Sequence, residues 1–437
     1  MVFFFLLAQQ AANLNSQVSC FERIWERTLP PSSSLSTSLN CLRETSSASP
    51  WDTLALCTSL VDPHSHPLIY NRTLVRSSPR PRASPRLRTL PSPNGGDIYT
   101  VSPQYALLPT PALVSPSGDA SFTSYINNLH PRAHSALYDA LARLLSAFVP
   151  LFEHVLTDLH RNNPLPQRIP PSRGPLYRVW DEPEEPVHSD DEEGWAQYEA
   201  ELRHWVMYRP IELPDVPDGG YPGGLETRRH RVSLRGKEMK VVVGVEDVRL
   251  EPGGPAYGGS PWHVEGMRNE RIVAVGEYYA ELDNITPPTL SFRMATTYPR
   301  RFAAGDNGAT LRTWGLRDGD ACHQHIGARA LSAGQLLAFP NLYQSSLSAF
   351  ALADAARPGR LTLVRFGLVD PEVGGVVGTR EVAPQQAAWV REAVFEALGA
   401  SGRLPLEVVE MVVGNVQGVL GESEARECAR RLREVRE

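Results

Sequence analysis

With 437 residues, 42% of them hydrophobic and 21% charged, the chain has the composition of a folded protein with a large core, and wholesale disorder is excluded. Against 43 Lys and Arg stand 49 Asp and Glu, a net charge of −6; this excludes a protein whose main work is coating nucleic acid. The five cysteines (Cys20, Cys41, Cys57, Cys322 and Cys428) form no CxxC pair, so neither a disulfide scaffold nor a zinc finger is expected, and the expected compartment is intracellular, cytoplasmic or nuclear.

Residues 1–95 read as largely disordered or irregular. The apolar run at residues 2–8 has no positive side chain before it, unlike a secretory signal. Residues 31–50 are rich in Ser, Pro and Thr, and residues 76–93 carry Arg76, Arg80, Arg82, Arg86 and Arg88 among Pro and Ser with no acid. Neither stretch has the apolar surface to offset the entropy of ordering.

Residues 96–233 read as helical. After the turn at Asn128-Leu129-His130-Pro131, residues Leu137, Leu141, Leu144, Leu145, Phe148, Phe152, Val155 and Leu159 recur every three or four positions. That is one apolar stripe of an amphipathic helix, which Pro150 should kink. The acid-rich stretch 181–193 is expected to be a solvated loop, with a second helix over 194–208. No run reaches the ~18–20 consecutive apolar residues that span a bilayer, so no membrane partner is expected.

Over 234–380 the texture is that of strands: residues 239–245, 272–279, 289–292, 311–316, 336–339, 361–369 and 376–379, separated by Gly, Pro, Asp and Asn clusters. Short strands at this spacing form a sandwich or barrel. Residues 381–437 return to helix over 406–419 and 423–436. The fold class expected is α+β, a β core with a helical layer before it and helices after it.

Chemistry concentrates in Trp262-His263-Val264-Glu265-Gly266. In an extended chain residues i and i+2 share a face, so His263 and Glu265 present an imidazole and a carboxylate side by side. These are two arms of the 2-His-1-carboxylate set that holds non-haem Fe(II) with open positions. The bland reading is a surface His beside a Glu. A second such triplet, His188-Ser189-Asp190, falls in the acidic stretch, where no rigid scaffold holds ligands. A complete site needs a second His tens of residues later, and an Arg on the next strand to hold the carboxylate of 2-oxoglutarate. The places for them are 334–344 and 359–369, and Ser345 and Ser346, not His, follow Gln344. In Cys322-His323-Gln324-His325, His323 and His325 share a face and are candidate substitute ligands. Trp262, Tyr278 and Tyr279 are candidate pocket residues, although aromatic residues flanking a β core are ordinarily core.

The segments Ser124-Tyr125-Ile126-Asn127-Asn128-Leu129-His130-Pro131, Pro150-Leu151-Phe152-Glu153-His154, Trp262-His263-Val264-Glu265-Gly266-Met267-Arg268-Asn269-Glu270, Asp283-Asn284-Ile285-Thr286, Phe339-Pro340-Asn341-Leu342-Tyr343-Gln344 and Leu368-Val369-Asp370-Pro371 together resemble a mainly fungal family known as domain of unknown function 4246. The resemblance covers roughly residues 50–437. That family in turn looks like a divergent branch of the Fe(II)/2-oxoglutarate oxygenases. The resemblance implies a double-stranded β-helix (jelly-roll, cupin-like) core over 234–380, His263 and Glu265 as metal ligands, and Fe(II) and 2-oxoglutarate as cofactors.

Two positions depart from the family pattern. The His that usually follows the Phe-Pro-Asn-x-x-Gln stretch falls on Ser345, and the Arg of the Gly-His-Arg that opens the next strand falls on Leu361. Arg360 is the nearest candidate for the co-substrate carboxylate, but one residue of slip on a strand turns a side chain to the opposite face. Arg365 has the correct parity and stands ~13 Å further along the strand. Three readings follow. One is an oxygenase with an incomplete triad of His263, Glu265 and Ser345, acting on an unknown small-molecule or protein substrate. Another is an inactive binding or structural member with no cofactor. The last is a cupin-like metal protein using His263, Glu265 and His323 or His325 without 2-oxoglutarate.

Overall fold

The computed structural model describes residues 18–21, 23–45, 56–76, 87–95, 97, 99–160, 183–209, 230–295, 307–399 and 405–434. They fall in two compact units: residues 183–209, 293–295 and 307–326 belong to the smaller, and the remainder to the larger. The larger unit opens with strands β1 (Val18–Phe21) and β2 (Ile24–Thr28), helix α1 (Ser33–Thr45) and strands β3 (Cys57–Val61), β4 (Leu68–Ile69), β5 (Leu74–Arg76) and β6 (Leu87–Thr89). Strands β7 (Tyr105–Ala106), β8 (Thr110–Val114) and β9 (Ala120–Phe122) lead into helix α2 (Ser135–Leu159). Helix α3 (Glu192–Tyr208) follows in the smaller unit, then strands β10 (Glu238–Leu250), β11 (Ile272–Asp283) and β12 (Thr289–Ala295), helix α4 (Asn307–Trp314) and strand β13 (His323–Ala330). Strands β14 (Gln335–Pro340), β15 (Gln344–Leu347) and β16 (Gly359–Val369) precede the closing helices α5 (Ala387–Val394), α6 (Leu406–Gly414) and α7 (Glu422–Glu434).

Three expectations are corrected here, the first being that residues 105–122, expected within a helical region, supply β7, β8 and β9. The stretch 18–76, expected to be irregular, supplies strands and a helix. In α1 the apolar residues are few but correctly spaced: Leu35, Leu39 and Leu42 are buried and recur every three or four positions, so they form a stripe that packs on α2 while Ser and Thr dominate the composition. Most of the Arg-rich stretch, residues 77–86, lies outside the described residues. The strand expected at 311–316 is instead the end of α4 and its exit, and 376–379 is not a strand. Short apolar runs do not separate strand from helix by periodicity alone.

A nine-stranded antiparallel sheet runs β1-β2-β14-β11-β16-β10-β8-β9, with β3 also paired to β10. The two-residue period sorts its side chains. Val364, Phe366 and Leu368 of β16, Tyr278 of β11 and Leu336 and Ala338 of β14 share one core with α2. There Phe148 meets Phe152 and Phe366 with ring centroids 5.6 Å apart in each pair. Gly276 makes the close approach possible, since a Cβ at that position would lie 2.8 Å from Phe148 and 2.9 Å from Phe152. By length and composition α2 is apolar enough to cross a membrane. Its apolar stripe is buried against this sheet, and the helix runs through Pro150 without a break.

A second, three-stranded sheet has the order β13-β12-β15. On the β15 side the chain at 257–263 extends it through antiparallel bridges, Tyr257 to Phe350 and His263 to Ser345. Phe292 of this sheet packs edge-on against Phe339 of β14, with centroids 4.9 Å apart. The face of the large sheet turned away from α2, carrying Leu361, Leu363, Arg365, Glu277 and Tyr279, therefore looks toward the second sheet. The architecture of the described residues is mixed helix and antiparallel sheet.

Candidate functional site

His263 and Ser345 exchange both backbone hydrogen bonds, N to O at 3.2 Å and 2.9 Å. Such a pair has its Cα atoms about 5.5 Å apart and its side chains on one face. Glu265, two residues on, closes the group. The three positions singled out in the sequence are thus brought together.

Asn341, from the Phe-Pro-Asn segment, fixes the backbone of Glu265. Its Oδ1 accepts from Glu265 N at 2.9 Å, and its Nδ2 donates to Glu265 O at 2.7 Å and to Ile272 O at 2.8 Å. Just beyond, the chain turns sharply at Gly266, whose φ is +71°. A Cβ there would lie 2.5 Å from Glu270 Oε2. That carboxylate accepts from the backbone N–H groups of Met267 and Leu107, each at 2.7 Å. The acidic end of the motif therefore shapes the turn rather than adding a ligand.

The His263 ring is oriented by Nδ1, 3.0 Å from the Pro261 carbonyl. A proton on Nδ1 leaves Nε2 bare in the neutral ring, and Nε2 faces Glu265 Oε1 at 3.4 Å. Two acceptors in that relation need something positive between or beside them. Burial pulls His263 down, but the Glu265 carboxylate outweighs it and the imidazole is shifted up. The separation is close to that of two ligands sharing a first-row metal, since bonds of ~2.1 Å at a right angle put donors about 3 Å apart.

Arg365 supplies the positive charge. Its Nε lies 3.1 Å from Glu265 Oε1 and 3.1 Å from Glu277 Oε1, and its Nη1 lies 3.0 Å from Glu246 Oε1. The register explains the convergence: Arg365 stands opposite Glu277 on β11 and Gly244 on β10, and Glu246 is the next residue of β10 on that face. Tyr279 donates its hydroxyl to Glu277 Oε2 at 2.5 Å. Burial pushes Glu265 up, yet Arg365 and then His263 hold its carboxyl well below the usual range. Burial likewise pulls Arg365 down, and Glu246, Glu265 and Glu277 together raise it well above its ordinary value.

The other candidates lie elsewhere. Arg360 points to the opposite face of β16, where its Nε is 3.5 Å from Asp247 Oδ2 and its Nη1 3.9 Å from Glu281 Oε2. It belongs to a network in which Arg43 of α1 reaches Asp247, Glu281 and Thr362, so it pins a helix to the sheet instead of facing His263. Strand alternation is the reason. Leu361 does point to the site face and is 1% exposed. Tyr278 is packed in the α2 core, and Tyr279 is the neighbour that reaches the site. Trp262 is half-buried beside His263. His323 and His325 begin β13 in the smaller unit. Among the described residues no group of three or more His, Cys, Asp or Glu side chains is spaced to hold a metal ion.

These residues do not fit Fe(II) with 2-oxoglutarate. Beside His263 stands a hydroxyl, that of Ser345, the Glu265 carboxylate is engaged by the Arg365 guanidinium, and the position that the resemblance assigns to an Arg is the aliphatic Leu361. Of the two functional residues that the sequence left obscure, Asn341 lay inside a recognised segment. Arg365 was visible as the one cation of correct parity on its strand.

Among solved structures the chain is similar to the Fe(II)/(alpha)ketoglutarate-dependent dioxygenase TqaL, with 11% identity, a TM-score of 0.20 and coverage of 44% of this chain and 58% of that one. It is similar to IDO from Bacillus thuringiensis, with 8% identity, a TM-score of 0.20 and coverage of 31% and 48%. A bsmA homologue from Methylobium petroleophilum PM1 shows 8% identity, a TM-score of 0.19 and coverage of 31% and 43%. The chain spans about half the length of these structures. No curated protein matches it. The family model described as "Protein of unknown function (DUF4246)" matches residues 32–393, most of the sequence, and the chain belongs to that family.

Proposed function

We propose that the protein is a double-stranded β-helix of the Fe(II)/2-oxoglutarate oxygenase type that does not turn over, and that it works inside the cell as a binding or structural member of its family. The strand order supports the fold. From 238 to 369 the chain visits the large sheet with β10, β11, β14 and β16, and the small sheet with 257–263, β12, β13 and β15. Each sheet thus receives four strands of the rolled-up pair.

The observation that carries the functional reading is the His263–Ser345 pair. A neutral hydroxyl stands directly across the strand pair from the imidazole, at the residue to which the family resemblance assigns the third metal arm. Loss of an outer-shell partner alone weakens metal binding ~10–100-fold, and loss of a first-shell imidazole weakens it at least as much. Leu361 adds a second deficit, because a buried aliphatic side chain occupies the strand position that the family resemblance assigns to the Arg for the co-substrate carboxylate. The ligand of such a member is a small molecule or a protein, recognised without redox chemistry.

The test uses the full-length protein. Supplied with Fe(II), ascorbate and 2-oxoglutarate, it should consume no more co-substrate than the protein-free control. Mn(II) with a 2-oxoglutarate analogue should leave its melting temperature unchanged. Consumption above the control, or a clear rise in melting temperature, overturns the reading.

A further inference from the structure

We infer that Arg365 is a built-in cation, its guanidinium standing in for a metal ion among Glu265, Glu277 and Glu246. This rests on the double-stranded β-helix reading of the site and goes beyond it, because a missing third ligand alone would leave an open, weak metal site. Here the site is filled by the chain itself. Glu246 and Glu277 reach Arg365 from the strands on either side of it in the large sheet, and Glu265 reaches it from the edge segment of the small sheet. One planar fork therefore joins the two sheets, as a shared ion would.

The carboxylates need this partner. Three acids at 3.0–3.1 Å from one side chain repel one another, and a buried charge left without its counter-charge is strongly destabilising. A guanidinium suits the place better than an ammonium, since its donors are fixed in a fork that meets several carboxylates at once. The charge count also sets what the site admits. Three carboxylates against the one guanidinium leave a net negative charge whichever form His263 takes, so a dianion such as 2-oxoglutarate is repelled. A divalent cation is attracted as soon as the guanidinium is taken away.

The experiment follows melting temperature in the full-length chain, with Mn(II) and guanidinium chloride as probes and equal ionic strength of sodium chloride as control. The natural protein should respond to neither. Arg365→Ala should melt lower and recover ~3 °C or more with saturating Mn(II), as linkage requires of a ligand that binds only the folded state. Millimolar guanidinium should recover part of the same loss. Adding Glu265→Gln to Arg365→Ala should abolish the Mn(II) response. Should Arg365→Ala fail to fold, the Arg365→Gln/Glu277→Gln pair, which neutralises both partners, provides the same readout. Cation-indifferent melting of both the Ala variant and the Gln pair overturns the inference while leaving the inactive reading standing. A natural protein that itself gains stability from Mn(II) overturns the inactive reading instead.

Discussion

Glu265 is positioned by its backbone as much as by its charge, and the residue that does this is Asn341. Asn341→Ala removes one acceptor and two donors at once, leaving the Glu265 N–H and the carbonyls of Glu265 and Ile272 without that partner. An unsatisfied buried polar group costs about 1–3 kcal/mol, so a loss of roughly 2 kcal/mol in urea unfolding is expected. Asn341→Asp should lose more at neutral pH, because it turns two donations into repulsion between a carboxylate and two carbonyls. A variant with the natural urea midpoint would show that the clamp is dispensable. At this scale much of the site is legible in sequence: i and i+2 parity puts His263 beside Glu265, and the family resemblance singles out the position after Gln344. Asn341 is legible only as part of a segment, since its partner lies 76 residues away in the chain. Arg365 is legible as a cation of the right parity but not as the partner of Glu265. Distance along β16 from residue 361 says nothing about Glu265, which arrives from the other sheet.

The elements around the core are joined by charge where they lack apolar area, and the docking of α7 is the clearest instance. Asp62, just past β3, is 3.0 Å from His64 Nδ1 and 2.7 Å from Arg433 of α7. Burial would push its carboxyl up, but His64 and Arg433 outweigh this and hold it at about 2, against an ordinary 3.8. A carboxyl lowered on folding stabilises the folded state fully above its unfolded value and loses that contribution as pH falls through the folded one. The folded state should therefore lose roughly 2 kcal/mol between pH 4 and 2, most of it from the His64 contact, and the docking of α7 should weaken by the smaller part that Arg433 contributes. Arg433→Ala should weaken it already at neutral pH and flatten the acid dependence. Hydrogen exchange of the α7 amides against pH measures both, and an acid profile unchanged in Arg433→Ala would remove Asp62 from the account. The amphipathic stripe of α2 could be read from periodicity, and that of α7 from its position and composition. The clamp could not, because Asp62 and Arg433 are 371 positions apart.

Taken as one molecule, the larger unit is closed at its edge by residues that the family match leaves out. The matched span starts at residue 32, yet β2 pairs with β14 from Gln335–Thr28 to Ala338–Trp25. Ile24 and Trp25 are buried. The Trp25 ring stacks on His154 with centroids 3.9 Å apart and donates Nε1–H to Asp158 at 2.7 Å, while Glu26 pairs with Arg329. Average composition hides this, since Ser, Thr and Pro outnumber the few apolar residues that do the packing. A chain beginning at residue 32 should therefore lose more than a tail. It uncovers one side of β14, a row of unpaired backbone groups of the kind that recruits other chains. It also leaves Asp158 without its indole. Burial of a Trp alone is worth about 3–5 kcal/mol on truncation to Ala, so the shortened chain should melt several degrees lower and elute from a sizing column as oligomers or aggregate. Trp25→Ala in the full chain should lower the melting temperature while β1 and β2 keep the edge covered and the elution position stays that of the natural protein. If the shortened chain elutes like the natural protein and melts at the same temperature, the first two strands are not part of the folded body.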